Sequence, residues 1–111
     1  MALRVHIVCQ NADQDRIIPR MARALQARLG WTLSAKADPG ADVNYLSAYF
    51  EGQRLRPWPD TRTAAYLTHK EEEPPGNAKA RLYDKVAAQV DLRIATCRLY
   101  AAALEAYGPT A

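Results

Sequence analysis

The sequence predicts a Rossmann-like α/β domain, with a doubly wound parallel sheet of about five strands and helices on both faces. Short apolar runs rich in β-branched residues alternate along the chain with stretches of helical periodicity. The links between them are short and carry Gly, Pro, Asn or Asp. With 111 residues and 49% hydrophobic content, the chain has the size of one domain spanning 1–111.

Each predicted strand is an apolar or β-branched run that ends in polar or turn residues. The predicted strands span residues 3–8, 31–35, 42–47, 63–68 and 92–96. We expect the sheet order 3-2-1-4-5, with the first strand central and right-handed crossovers on both faces. The stretch 49–62 has two prolines, one glycine and no clear period, which predicts an irregular connection with a helical turn.

The first predicted helix runs from Ile17 to a stop at Gly30. Asp13 or Asp15 is placed to cap it, and Pro19 falls in the first turn, where a missing amide costs least. Its apolar face is predicted to carry Ile17 or Ile18, Met21, Leu25 and Leu29.

Two further helices are predicted in the second half of the chain. Asn77 is a candidate cap for a helix whose apolar face carries Leu82, Val86 and Val90. The last helix is the alanine-rich stretch 97–107, which is stopped by the Gly-Pro pair at 108–109.

Composition narrows the class of protein. The net charge of +3 arises from 15 basic and 12 acidic residues spread along the chain, so we expect an ordinary solvated surface and no nucleic-acid binding. No apolar stretch approaches the ~20 residues that span a bilayer, and the first apolar run is interrupted by Arg4. A cytoplasmic protein without a membrane span is expected. Cys9 and Cys97 lie far apart with no neighbouring His or Cys cluster, so we expect free thiols and no metal site.

In such a sheet, ligands bind beyond the carboxyl ends of the strands, where the winding direction reverses. The predicted order places this point between the first and fourth strands, near residues 9–16, 47–50, 69–73 and 97–98. The first turn contains no glycine for a close approach to phosphate, which disfavours dinucleotide and P-loop sites, and no cofactor is expected. A receiver-type acidic pocket at Asp13 and Asp15 is disfavoured because the third strand does not end in aspartate.

His69 directly follows the fourth strand and is flanked by Thr68 and Lys70. An imidazole there can hydrogen-bond a sugar hydroxyl or a phosphate, or it can be a loop histidine with a structural partner, and the sequence leaves both open. The acidic run 71–73 is typical of a solvated loop.

Other polar and aromatic residues are equally open to two interpretations. Arg16, Arg20 and Arg23 share one helical stripe, which favours a solvated face over a phosphate site. The aromatic residues suited to stack on a sugar or to pack in the core are Tyr45, Tyr49, Phe50 and Trp58. No nucleophile with a partnered base, no carboxylate pair and no metal-ligand spacing can be assigned.

Two segments carry a resemblance to a known family. They are 65–72 (AYLTHKEE) and 83–97, with its YDKVA and VDLRIATC motifs, followed by Tyr100, Leu104 and Gly108. They resemble the N-terminal domain of GT-B-fold glycosyltransferases of the glycogen-synthase-like and mannosyltransferase-like group. In that group a strand ending in Thr-His plus acidic residues precedes a helix, a Val-Asp strand ending in Ser or Cys, and a helix ending in Gly. The motifs cover residues 63–108, and the first half is similar by architecture alone.

The resemblance implies the acceptor-binding half of an enzyme that transfers sugar from a nucleotide sugar and is inactive without a donor-binding domain or partner chain. It implies that His69 is catalytic and faces the interdomain cleft. The predicted substrate-binding residues are Gln10, Asn11, Tyr49, His69, Lys70, Glu71, Cys97 and Arg98. Two departures stand out. The family's glycine-rich first loop is replaced by residues 10–13 (QNAD), and the family would continue past 109–111 into another strand, so we expect an excised half or a partner chain.

The leading alternative is a stand-alone flavodoxin-like module for protein interaction or a small ligand, and a weakly basic nucleic-acid binder is a third. A domain cut from a two-domain enzyme would leave its cleft uncovered, with an apolar patch predicted at Tyr49, Phe50 and Trp58. We therefore expect association through the face that carries His69, as a homodimer or with a donor-domain chain.

Overall fold

The computed structural model describes residues 3–111. The strands are β1 (Val5–Val8), β2 (Thr32–Ser34), β3 (Val43–Leu46), β4 (Arg62–Leu67) and β5 (Leu92–Ala95). The helices are α1 (Ile17–Leu29), α2 (Ala78–Gln89) and α3 (Arg98–Leu104), and a 3₁₀ helix (Tyr49–Arg54) follows β3. The predicted strands and helices are thus confirmed, and the connection predicted as irregular begins with helical turns.

All five strands are parallel, and their order is β2-β1-β3-β4-β5. The predicted fold class is confirmed, but the predicted order 3-2-1-4-5 is wrong. Burial explains the difference. The last three residues of β3, including Asn44, are buried, which requires a strand on each side and cover on both faces. In β2, Thr32 and Ser34 are exposed, which suits a sheet edge.

A buried amide fixes the short link that carries the chain from β2 across β1 to β3. Asn44 is fully buried, and its Nδ2 donates to the Asp38 carbonyl at 3.0 Å and to Thr61 Oγ1 at 2.8 Å. Its Oδ1 accepts from the Asp38 N–H at 2.8 Å. These bonds satisfy both the oxygen and the nitrogen of the side-chain amide. They fix the backbone of the link although it contains no helix.

The sheet separates two hydrophobic cores. On one face the 3₁₀ helix, α2 and α3 contribute to a core that includes Val8, Leu46 and Leu67 of the sheet. On the other face α1 packs over Ile7 and Tyr45. Right-handed crossovers explain this division, because the chain winds one way from β1 to β2 and the other way from β3 to β5.

The buried stripe of α1 differs from the predicted one. Ala22 is buried and Ile18 and Leu25 are half-buried, whereas Ile17, Met21 and Leu29 are exposed. The prediction followed the larger side chains, so the predicted face was rotated about the helix axis from the observed one. The small side chain of Ala22 lets the helix approach the sheet closely.

The predicted capping of α1 is also wrong. Its N-cap residue is Arg16, and within residues 3–111 no side chain caps this end. Pro19 falls in the first turn as predicted, and Gly30 ends the helix with a φ of 69°. By contrast, Asn77 caps α2 as predicted, its Oδ1 accepting from the Ala80 N–H at 2.9 Å.

The last residues of the chain lie along β5. The Ala111 N–H donates to the Arg93 carbonyl at 2.7 Å, and the Arg93 N–H donates to the Pro109 carbonyl at 3.1 Å. The buried Arg93 guanidinium donates to the carbonyls of Ala87 and Val90, each at 2.6 Å, and to that of Pro109 at 3.0 Å. One side chain therefore joins α2 to the C-terminal segment. Among residues 3–111, no helix is long and apolar enough to cross a membrane.

Candidate functional site

The winding direction reverses between β1 and β3, and the carboxyl ends of these strands open into a cavity of about 430 Å³. The sequence predicted this reversal between the first and fourth strands, and the observed strand order places it between β1 and β3 instead. The loop after β1, the first turn of α1 and the 3₁₀ helix form its walls. Its polar lining includes Gln10, Asn11, Gln14, Arg16, Glu51 and Arg54.

Glu51 lines this cavity although the residue is only 1% exposed. The Gln10 backbone N–H donates to both carboxylate oxygens, at 2.9 and 3.1 Å. Burial raises the pKa of Glu51, while this hydrogen bond and the charge of Arg54 act in the opposite direction. The carboxylate thus joins the 3₁₀ helix to the loop after β1 at the wall of the cavity.

Glu51 and Arg54 were not among the site residues predicted from the sequence. Both lie in a segment without periodicity, and nothing in residue spacing shows that a charged side chain there is buried. One signal was available, because Glu51 is a single acid between Phe50 and Gly52 just beyond a buried strand.

A second cavity of about 500 Å³ lies beyond the carboxyl end of β4 and is lined by Tyr49, His69 and Glu71. Phe50 and Arg54 line both cavities. The two cavities therefore adjoin each other along the ends of β1, β3 and β4, and together they are called the cleft below.

His69 is exposed in the cleft and is oriented by α3. Its Nδ1 shares a hydrogen bond of 3.0 Å with the Tyr100 hydroxyl, and the two rings meet edge-on with centroids 6.2 Å apart. Within residues 3–111, Nε2 of His69 has no hydrogen-bond partner. The imidazole thus has a structural partner on one nitrogen and a second nitrogen available to a ligand.

Lys70 and Glu71 follow His69 but lie in different surroundings. Lys70 lines a separate cavity between α2 and α3, where its Nζ is 2.9 Å from both Asp84 Oδ1 and Glu72 Oε1. These two carboxylates, Asp84 first, raise the pKa of Lys70. Glu71 lines the cleft and pairs with Lys79 at 3.3 Å. Of the two, Glu71 is the one the structure brings into the cleft.

The two predicted site residues after β5 lie outside the cleft. Cys97 is the N-cap of α3 and is exposed, as is Arg98. The backbone N–H of Tyr100 is the main cause that lowers the pKa of Cys97. Cys9 is buried, and burial raises its pKa. The exposed thiol is therefore the more reactive of the two.

The three arginines of the predicted helical stripe, Arg16, Arg20 and Arg23, lie in different surroundings. Arg23 Nη1 donates to the carbonyls of Ala12 and Gln14, which fixes the loop after β1 from behind. Arg20 forms an exposed ion pair of 3.7 Å with Asp15. Arg16 alone of the three lines the cleft.

The predicted exposed aromatic patch is wrong for two of its three members. Tyr49 is buried and packs edge-on against Tyr83 of α2, with ring centroids 5.4 Å apart. Trp58 is half-buried against the same core. Only Phe50 is exposed, at 45%. The 3₁₀ helix turns Tyr49 toward α2, so the cleft carries one large aromatic surface at the junction of its two cavities.

The cleft combines amide groups, a buried carboxylate, guanidinium groups and an imidazole around the ring of Phe50. These groups can donate to and accept from the hydroxyls of a polar ligand while an apolar face covers its ring. Among residues 3–111, no group of three or more His, Cys, Asp or Glu is arranged to hold a metal ion.

Comparisons with protein-family models, with curated proteins and with solved structures found no match for this chain.

Proposed function

We propose that the chain is the acceptor-binding domain of a glycosyltransferase that uses a nucleotide sugar, with the acceptor bound in the cleft. The observation that carries the proposal is the pair of adjoining cavities along the ends of β1, β3 and β4. Gln10 and Arg16 line one of them, His69 lines the other, and Phe50 and Arg54 line both. The sequence resemblance of residues 63–108 to GT-B N-terminal domains supports the same assignment.

The lining of the cleft suits a carbohydrate. A sugar presents hydroxyls, each of which both donates and accepts, on the rim of a ring with apolar faces. The side-chain amides of Gln10 and Asn11 supply acceptors and donors, and Arg16 and Arg54 supply further donors. The exposed ring of Phe50 supplies a flat apolar surface.

His69 is proposed as the residue next to the reacting hydroxyl. Its hydrogen bond with Tyr100 holds the ring in one orientation, and Nε2 remains available for a substrate oxygen. In an enzyme that contains this domain, His69→Ala is expected to lower kcat/KM more than tenfold, a loss of more than ~1.4 kcal/mol of transition-state stabilisation, with little change in folding stability.

The donor is proposed to bind elsewhere, on a second domain or a partner chain that faces the cleft. Isolated chain titrated with uridine and guanosine diphosphate sugars in a calorimeter should show no binding. Titration of ¹⁵N-labelled protein with neutral mono- and disaccharides should shift amide signals of Gln10, Asn11 and His69. Glu51→Ala should abolish those shifts, whereas Arg28→Ala, on the α1 face of the sheet, should retain them.

A second candidate function is a stand-alone flavodoxin-like module that binds a small ligand. The observed strand order favours it, because the order 2-1-3-4-5 is that of flavodoxin-like domains, whose ligand sits at the β1/β3 reversal. Flavin mononucleotide added to the same labelled protein separates the two candidates. Saturable flavin binding at the cleft without saccharide binding would replace the first proposal with the second, and tight binding of a nucleotide sugar would overturn the acceptor assignment.

A further inference from the structure

A groove crosses the sheet face that carries α1. It has a volume of about 380 Å³, and its lining includes Met21, Leu25 and Arg28 of α1 with Tyr66 and Ile94 of the sheet. Leu92 is 37% exposed and alternates with Arg93, so it faces the same side as Ile94. Among residues 3–111, the groove has α1 as one wall and no element over β4 and β5.

The topology explains why this strip is left open. The connections after β3, β4 and β5 all wind in one direction, so right-handed crossovers place the 3₁₀ helix, α2 and α3 on the opposite face. Parallel sheets have both faces covered almost without exception. The apolar side chains of β4 and β5 on the α1 face, with Met21 beside them, therefore leave room for one further element that would cover them.

The shape and charge of the groove identify that element. A strip beside α1 on a parallel sheet is normally filled by a helix. The sequence of α1, IIPRMARALQARL, contains three arginines and no acidic residue. Arg28 lines the groove and is its charged lining residue. A helix in the groove thus meets an apolar floor and, on the α1 side, a basic side chain with no acidic residue on the same helix.

We propose that the groove binds an amphipathic α-helix of a partner protein, with its apolar stripe on Tyr66 and Ile94 and acidic side chains facing Arg28. A second copy of this chain is a poor occupant, because each α-helix within residues 3–111 carries more basic than acidic residues and would bring like charge to Arg28. The groove shares no lining residue with the cleft, so the inference is independent of the proposed function.

The test uses two synthetic helical peptides of ~15 residues with the same leucine stripe, one with glutamates and one with lysines at the polar positions. Fluorescence anisotropy at low salt should give at least ~10-fold tighter binding of the glutamate peptide. Met21→Asp, at an exposed groove position, should weaken that binding at least ~10-fold. Leu99→Asp, at an exposed apolar residue on α3, is the matched control and should leave it unchanged.

Arg28→Glu provides the charge test and should reverse the preference between the two peptides. Circular dichroism of each variant checks that the fold is retained, since Met21, Arg28 and Leu99 are all exposed. Equal affinity for both peptides, or binding of neither, would overturn the proposal. Concentration-dependent dimerisation in sedimentation velocity that Met21→Asp abolishes would also overturn it, because the occupant would then be a second copy.

Discussion

Gly52 lies where the 3₁₀ helix crosses α2, and the structure predicts that even one added methyl group there is costly. A Cβ at this position would lie 2.6 Å from Val86 Cγ2 and 3.4 Å from Trp58. Carbon atoms in contact prefer about 3.5–4.0 Å, so the shortfall against Val86 is roughly 1 Å. Val86 is fully buried and branched at Cβ, so the 3₁₀ helix has to move instead.

Gly52→Ala is therefore expected to lower the free energy of unfolding by about 2 kcal/mol, the usual cost of overpacking a core. For a domain of this size that corresponds to a fall in Tm of roughly 6–12 °C. Urea unfolding followed by far-UV circular dichroism measures the free energy, and a thermal melt measures the Tm. Because Gly52 adjoins Glu51, the amide signal of Gln10 should also shift in the NMR spectrum.

A double-mutant cycle separates this clash from other effects. Val86→Ala removes the clashing Cγ2 and alone should cost about 2 kcal/mol through lost burial and a small cavity. The double variant Gly52→Ala/Val86→Ala should be more stable than the sum of the two single effects by at least about 1 kcal/mol. Gly40→Ala is the matched control, because its Cβ would meet only side-chain atoms, Asp38 Oδ1 at 3.3 Å and Arg4 Nη1 at 4.0 Å. Strict additivity in the cycle would refute the reasoning.

Three further predictions concern buried polar groups and the thiols. Glu51→Gln should raise the free energy of unfolding at pH 7 by about 1 kcal/mol, because it removes a buried charge and keeps an acceptor for Gln10. The folded-state pKa of Glu51 is raised, so this gain should shrink as pH falls through that pKa toward the ordinary value of 4.5, as measured by urea unfolding across pH. Arg93→Met should cost at least about 3 kcal/mol in the same assay, because the carbonyls of Ala87 and Val90 lose their donor and that of Pro109 loses one of two. Iodoacetamide at pH 7 should label Cys97 at least ~10-fold faster than Cys9, as followed by mass spectrometry of the native protein.

Each of these three has an outcome that contradicts it. If the difference in unfolding free energy between wild type and Glu51→Gln did not change with pH, burial would not be what raises the pKa of this carboxyl. Arg93→Met with unchanged stability would show that the carbonyls find other donors. Equal labelling of the two thiols in the native protein would show that Cys9 is as accessible to iodoacetamide as Cys97. As the control, both thiols should be fully labelled in urea.

The strands were predictable from the sequence because each is a short apolar run bounded by turn residues. Their order was not, because both 3-2-1-4-5 and 2-1-3-4-5 satisfy parallel pairing with right-handed crossovers. The choice depends on the burial of Asn44 and on its bonds to Asp38 and Thr61, contacts that form only in the folded chain.

The candidate site, like the fold, was predictable from the sequence only in part. The position of His69 beyond the fourth strand follows from local pattern, and the structure places it in the cleft. The partner of its ring, Tyr100, comes from α3, and Lys70 is drawn away by Asp84 of α2. Burial of Glu51 arises from the fold of an aperiodic segment. Contacts between separate elements thus decided which neighbours of the predicted positions line the cleft.

The pairing of residues 109–111 with β5 also determines how much of the sheet edge is open to another chain. An unpaired strand edge is a template on which another chain can add, and it is a common start of aggregation. On the β5 side, the chain's own terminal residues already occupy part of that template, held by the guanidinium of Arg93. On the other side, among residues 3–111, the edge is β2, only 3 residues long with two polar side chains exposed. Within the described residues, neither edge offers a long apolar strand to a neighbour: residues 109–111 cover part of one edge, and a short strand with polar side chains forms the other.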